Sequence, residues 1–121
     1  MSLVDDVNIA HIATVLPDGS PHSVPVWVGW EGDKIAVLTS PRSRKARNLA
    51  RDPRVALSIT ERGRPNSTEL IRGRVVATVD GDAAWEIIDR IAYKYTGGPY
   101  PLREDRIVFL IEPEQVISNS Y

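Results

Sequence analysis

The sequence contains no cysteine, which excludes disulfide bonds and thiolate chemistry. It has only two histidines, His11 and His22, and no HxxxH or H-E-x-x-H pattern, so a metal site is not expected. No apolar run reaches the length of a membrane-spanning helix, and no basic segment followed by an apolar stretch opens the chain. We therefore expect a cytoplasmic protein that does not enter a membrane.

The length and composition indicate one globular domain. The 121 residues suit a single domain spanning residues 1–121, and a domain of this size can bury a hydrophobic core. Nine prolines and eight glycines indicate many turns. The share of hydrophobic residues, 42%, is ordinary for a folded soluble chain.

Positive charge is concentrated in one short window. Residues 42–54 contain six basic residues and one acidic residue, a net charge of +5, whereas the whole chain has a net charge of −1. A local cationic site on an acidic protein indicates a compact anionic ligand. A nucleic-acid-binding protein would show a broader basic surface, so nucleic acid is not an expected partner.

Short alternating segments separated by turn residues predict a mainly β domain. We predict six strands, at Asn8–Leu16, His22–Trp30, Lys34–Thr39, Arg54–Thr60, Glu69–Val79 and Arg106–Glu112. The polar stretch Glu61–Ser67 is predicted to be a loop. Pro25 marks an edge or a bulge because proline cannot donate to a strand ladder. The continuous apolar run Ile107–Ile111 predicts that both faces of the last strand are covered.

Two segments have helical periodicity. Ser43 is predicted to cap a helix that ends near Arg51, with its inward residues at Ala46, Leu49 and Ala50. A second helix opens at Asp82, and its apolar stripe consists of Ala84, Ile87, Ile88, Ile91, Ala92 and Tyr95. Because no G-x-G-x-x-G pattern follows a strand, a Rossmann fold does not fit. The expected fold is a six-stranded antiparallel β-barrel with two packed helices.

The first helix has its charges in an unfavourable order. A helix N-terminus carries partial positive charge, yet Arg44 and Lys45 lie in the first turn. Each such charge costs about 0.3–1 kcal/mol at low salt. A bound phosphate would reverse this cost, because the free amides, the Ser43 hydroxyl and both cations would donate to it. The alternative from charge placement alone is a short surface helix whose basic residues are merely solvated.

Several short motifs carry a family resemblance that covers nearly the whole chain. The stretches Leu38-Thr39-Ser40, Ser43-Arg44-Lys45, Asn48-Leu49 and Asp52-Pro53-Arg54-Val55 resemble the cofactor-binding region of the pyridoxamine-phosphate-oxidase-like split-barrel family. Gly19-x-Pro21-x-x-x-Pro25-Val26-Trp27 is similar to the second strand of a small branch of this family that uses the deazaflavin coenzyme F-420. Tyr93-Lys94-Tyr95-Thr96-Gly97, followed by Tyr100-Pro101, is also similar to that branch.

The resemblance implies a homodimer of six-stranded split barrels with a cofactor in each cleft between the protomers. It implies that Arg44 and Lys45 bind the cofactor phosphate, and that Thr39 and Ser40 hydrogen-bond the phosphate or the ring edge. Asn48 is expected to support the same group of residues. The backbone of Pro25, Val26 and Trp27 is expected to face the ring, although Trp27 is nearly as well explained by packing at the dimer interface.

The expected function is that of a reductase that transfers hydride between F-420 and a small electron-poor organic substrate. The cofactor would carry the chemistry, so no catalytic side chain is assigned. Arg42, Arg47 and Arg51 are expected to attract the acidic tail of F-420. Two alternatives stay open: an FMN-dependent oxidoreductase, and a non-catalytic protein that binds a flavin, haem or another small ligand.

Overall fold

The computed structural model describes residues 2–120, which form one seven-stranded antiparallel sheet and two helices. The elements in chain order are β1 (Ala10–Val15), β2 (Pro21–Val26), β3 (Val28–Glu31), β4 (Lys34–Thr39), α1 (Arg44–Arg51), β5 (Arg54–Glu61), β6 (Arg64–Val79), α2 (Gly81–Thr96) and β7 (Ile107–Ser120). The strand order is β2-β1-β5-β6-β7-β4-β3. Its two end strands are joined through Trp27 alone, so the sheet curls round into a split barrel.

The predicted strand His22–Trp30 is in fact two strands, which raises the strand count from six to seven. Pro21–Val26 pairs with β1, and Val28–Glu31 pairs with β4 at the other end of the sheet. Pro25 lies on the edge strand β2, opposite His11, where its missing N–H group does not break a central ladder. The chain changes pairing partner at Trp27, which an alternation pattern cannot reveal.

The β5–β6 and β6–β7 pairings are longer than predicted. The expected loop Glu61–Ser67 is a tight hairpin whose turn includes Gly63 at φ 80°, and β6 already begins at Arg64. Strand β7 continues to Ser120, past Pro113, instead of ending at Glu112. A register shift between Arg72 and Gly73 accommodates the proline. These extensions are rich in polar residues, so hydrophobic periodicity did not indicate them.

The core has two parts, one on each side of the sheet. The barrel interior is filled by aliphatic side chains that include Ile12, Ile35, Leu57, Ile59, Ile71 and Ile111. On the outside, α2 packs its predicted stripe of Ala84, Ile87, Ile88 and Ile91 against Ala36 and Val108. The last strand therefore has both faces covered, as its apolar run predicted. Within residues 2–120, no helix has the length and hydrophobicity needed to span a membrane.

Helix α1 packs against β1 and buries Ala46, Asn48 and Leu49. The predicted inward position of Ala50 is wrong, because this residue is exposed. Successive helical residues are rotated by about 100°, which places Lys45 between Asn48 and Leu49 on the buried face. The helix therefore directs a lysine toward the interior of the protein.

Candidate functional site

A cavity of about 340 Å³ opens where β2 passes into β3. This volume lies within the range of small-molecule sites, roughly 300–1,000 Å³. Its walls come from five segments of the chain and consist of Ile9, Pro25, Val26, Trp27, Leu38, Lys45 and Tyr100. Lys45 is the only charged residue among them. The cavity thus combines apolar and aromatic walls with a single cation.

Lys45 is a half-buried cation without an acidic partner. Burial lowers the pKa of its ammonium group, and the nearby Arg106 lowers that pKa further. Within residues 2–120, no carboxylate lies within 4.0 Å of Lys45 Nζ. A desolvated ammonium beside a guanidinium is electrostatically unfavourable until an anion arrives. An anion bound in the cavity would therefore be attracted to Lys45.

Hydroxyl groups organise the start of α1. Ser43 caps the helix, and its Oγ accepts hydrogen bonds from the Ala46 amide at 3.1 Å and the Thr39 hydroxyl at 2.9 Å. The Ser43 hydroxyl hydrogen is left for another acceptor. Ser40 Oγ accepts from the Arg42 amide at 3.3 Å. The first amides of a helix lack intrahelical acceptors, so this end presents several donors in a fixed arrangement.

Arg44 lies over the first turn of α1. Its Nε donates to Asn48 Oδ1 at 3.0 Å, and Asn48 in turn donates to Thr14 Oγ1 at 3.0 Å. Its terminal guanidinium nitrogens make no hydrogen bond or ion pair with another part of residues 2–120. Two cations with unused donors, Arg44 and Lys45, therefore lie at the same helix end.

Aromatic rings fix the opposite wall. Trp27 stacks on Tyr95 with their ring centroids 5.1 Å apart and an interplanar angle of 6°. The Tyr95 hydroxyl donates to the Asn8 carbonyl at 2.6 Å and accepts from the Val28 amide at 3.2 Å. Tyr100 meets Trp27 edge-on at 6.0 Å. These contacts hold the Trp27 indole in one orientation beside the cavity.

The loop that carries Tyr100 is held by Asp89 on α2. The Asp89 carboxylate accepts from the Tyr100 amide at 3.0 Å and pairs with Arg103 at 2.7 Å. The hydrogen bond from Arg103 is the main reason that the pKa of Asp89 is lowered. The Arg106 guanidinium lies 5.8 Å from the centre of the Tyr100 ring. This loop therefore supplies an aromatic wall of the cavity, and its last residue, Arg106, places a second cation near Lys45.

The structure brings the predicted site residues into two adjoining groups. Pro25, Val26, Trp27 and Lys45 line the cavity itself. The second group surrounds the start of α1 and consists of Thr39, Ser40, Ser43, Arg44 and Asn48. Sequence reasoning missed Ile9 and Arg106, and it gave no role to Leu38 although this residue lies in one of the family motifs. Arg106 precedes β7, whose first residue Ile107 pairs with Thr39, and only the strand pairing places it here.

Several other basic residues do not line the cavity. Arg51 donates to the Val15 carbonyl of β1. Arg72 bonds Gln115, and Arg74 pairs with Glu114 at 3.4 Å, so both arginines have partners in their own chain. His22 is half-buried, and its Nδ1 is buried without a hydrogen-bond partner within residues 2–120.

Comparison with known proteins identifies the family. The sequence profile of the family described as pyridoxamine 5'-phosphate oxidase matches residues 2–120. Among solved structures, an F-420 reductase is similar with a TM-score of 0.84 and 26% identity, over 95% of this chain and 93% of that chain. A conserved hypothetical protein from Mycobacterium tuberculosis has a TM-score of 0.78 and 25% identity, over 93% and 76% of the two chains.

General stress protein 26 from Bacillus anthracis has a TM-score of 0.74 and 17% identity, over 97% of this chain and 88% of that chain, which shows the shared fold alone. No curated protein matches the sequence significantly. The family profile covers nearly the whole chain, and the split barrel agrees with it. The chain therefore belongs to the pyridoxamine 5'-phosphate oxidase family.

Proposed function

We propose that this protein is an oxidoreductase that binds coenzyme F-420 and passes hydride between it and a small electron-poor organic substrate. The observation that carries the proposal is Lys45, a half-buried cation without an acidic partner in residues 2–120, which faces a cavity with aromatic walls. A ligand for this site needs a planar apolar body and an anionic group attached to it. Flavins and deazaflavins have both parts.

The residues fit such a cofactor. Arg44 and Lys45 bind the phosphate together with the amides at the start of α1. Thr39 and Ser43 fix the helix cap, and Ser40 orders the turn before it. Pro25, Val26 and Trp27 face the ring, while Leu38 and Tyr100 exclude water from its edges. A bound deazaflavin or flavin supplies the hydride transfer, and the protein binds the cofactor, orients it and excludes water from it.

F-420 is favoured over FMN by two observations. One of the similar solved structures, at 26% identity over 95% of this chain, is that of an F-420 reductase. In addition, Arg106 lies close enough to Lys45 to lower the pKa of that lysine. Arg42 is exposed close to the same helix end, where its only ion pair within residues 2–120 is a long, solvent-exposed one with Asp105 at 4.0 Å. These two arginines suit the acidic tail that F-420 carries and FMN lacks. Arg51 does not serve this role in the proposal, because it is bonded to β1.

We also propose that the protein works as a homodimer. The outer face of the sheet exposes Leu70 and Ile117, 42% and 44% accessible, which are paired across β6 and β7. They lie in an apolar groove with Ala13 and Ala56. Contiguous exposed apolar surface of this kind marks an interaction site. A second copy would also complete a cavity that one protomer walls only in part.

The test is a titration of the purified protein with F-420, FMN and haem, followed by absorbance and tryptophan fluorescence. We expect the tightest binding for F-420, and then turnover of reduced F-420 with a panel of quinones and enones. Preference for FMN would assign the alternative cofactor at the same site. Binding without turnover of any acceptor would indicate a carrier protein, and binding of haem alone would contradict the phosphate site.

A further inference from the structure

A buried amide connects the barrel to the anion-binding end of α1. Asn48 is 0% exposed, and both ends of its side-chain amide are engaged. Its Oδ1 accepts from Arg44 Nε at 3.0 Å, and its Nδ2 donates to Thr14 Oγ1 at 3.0 Å. Thr14, on β1, is itself only 2% exposed. A hydrogen-bonded chain therefore runs from the barrel wall through Asn48 to the side chain of Arg44, which is half-buried.

Burying the side-chain amide of Asn48 costs desolvation free energy, which its hydrogen bonds only offset. Apolar side chains at both positions 14 and 48 would fill the same space without burying a hydroxyl and an amide. The polar chain restrains Arg44 instead. An arginine side chain that is free in solvent occupies many rotamers, and binding an anion would have to order them. With Nε already bonded to Asn48, the Arg44 side chain is held over the first turn of α1 before any ligand binds.

We propose that Thr14 is a positioning residue for the anion site. Acting through Asn48, it orients the Arg44 guanidinium toward the phosphate of the cofactor, and it never touches the ligand. This inference rests on the proposed function, because it assumes a phosphate-bearing cofactor at α1. It assigns a role to a strand residue outside the cavity that no sequence motif indicates.

The test compares two ligands that differ only in the phosphate. Thr14→Val keeps the shape of the side chain and removes the acceptor for Asn48. We expect the Kd of FMN to rise roughly tenfold, by analogy with the effect of removing a residue that orients a metal ligand. The Kd of riboflavin should change less than about twofold, because riboflavin has no phosphate for Arg44 to bind. A change of this size is that of a substitution without a specific effect. If F-420 binds more tightly, F-420 and its phosphate-free chromophore replace this pair.

Two further variants separate positioning from general damage. Thr14→Ser keeps the hydroxyl and should retain the FMN affinity of the unmodified protein. In an Arg44→Ala background, Thr14→Val should have no additional effect, because its action passes through Arg44. Thr14→Ala, which removes the acceptor without adding bulk, replaces Thr14→Val if the latter does not fold. Thermal unfolding of every variant reports its stability.

The outcomes are distinct. Equal weakening of FMN and riboflavin by Thr14→Val, or an unchanged FMN affinity, would overturn the positioning role. An additive effect in the Arg44→Ala background would also overturn it. Failure of the unmodified protein to bind any phosphate-bearing flavin or deazaflavin would instead contradict the proposed function, so the two failures are distinguishable.

Discussion

Replacing Lys45 by Met should weaken cofactor binding and at the same time stabilise the free protein. The lysine is half-buried beside Arg106 and has no acidic partner in residues 2–120. A charge-assisted hydrogen bond contributes about 1.5–3 kcal/mol, so losing it should raise the Kd roughly 10- to 150-fold. Methionine fills a similar volume without a desolvated charge. The free energy of unfolding of the ligand-free protein should rise by about 0.5–2 kcal/mol, the usual gain from a single stabilising substitution.

The measurements are a fluorescence titration with F-420 and FMN, and chemical denaturation of the free protein. Arg47→Met is the matched control, because Arg47 lies on the same helix and is exposed. It removes the same charge but should change the Kd of FMN, which lacks the acidic tail of F-420, less than about twofold and the stability by less than about 0.5 kcal/mol. If Lys45→Met lowered the stability of the free protein, or left cofactor affinity unchanged, the reasoning about an uncompensated cation would be wrong.

The affinity should also depend on pH through Lys45. Burial and Arg106 hold the pKa of this lysine below 10.5 in the free protein, whereas a bound anion favours the charged form and raises the pKa. Binding therefore takes up a proton above the free-state pKa, and the Kd should rise with pH there. In Lys45→Met, the increase of the Kd with pH below pH 10.5 should disappear. A rise of the same size in the variant would assign it to another group.

Three further predictions concern the surroundings of the site. Leu70→Glu should give a monomer in sedimentation and weaken cofactor binding. The control Tyr93→Ser, at a position 56% exposed on α2, should leave the dimer intact. A Leu70→Glu protein that stays dimeric would exclude this face as the interface. Asp89→Asn should loosen the Tyr100 loop and raise the Kd by a few-fold, and an unchanged Kd would show that the loop does not contribute. Gly73→Ala should destabilise by about 1–3 kcal/mol in denaturation, because its Cβ would overlap the Glu112 carbonyl oxygen. Gly98→Ala, with open space around it, is the control.

Much of this fold could be predicted because local patterns and packing agree. The stripe on α2 and the apolar run of β7 each follow from a periodicity that the core then uses. The break at Trp27 could not be predicted, because it depends on which strands pair at the two ends of the sheet. The polar ends of β6 and β7 were missed because their partners compensate for low hydrophobicity with ladder hydrogen bonds.

In the candidate site too, some residues can be identified from the local sequence, whereas others depend on the tertiary structure. Lys45 and Arg44 are found from sequence because their charge conflicts with the helix dipole, a local effect. Arg106 and Thr14 become relevant only through long-range pairings, of β7 with β4 and of β1 with the face of α1. Their role depends on tertiary distances and leaves no mark on the neighbouring residues. Asn48 had a family motif to indicate it, but its burial contradicts what polarity alone suggests.

The passage of the chain through Trp27 has a consequence for how the barrel opens. One residue joins the two end strands of the sheet, and its ring also lines the cavity. Local opening of the barrel at this seam would separate β2 from β3 and disrupt the cavity wall in the same event. A ligand that bridges the seam should therefore slow amide hydrogen exchange along both strands, including amides that it does not contact. Ligand binding at the site would then stabilise the closed barrel by thermodynamic linkage.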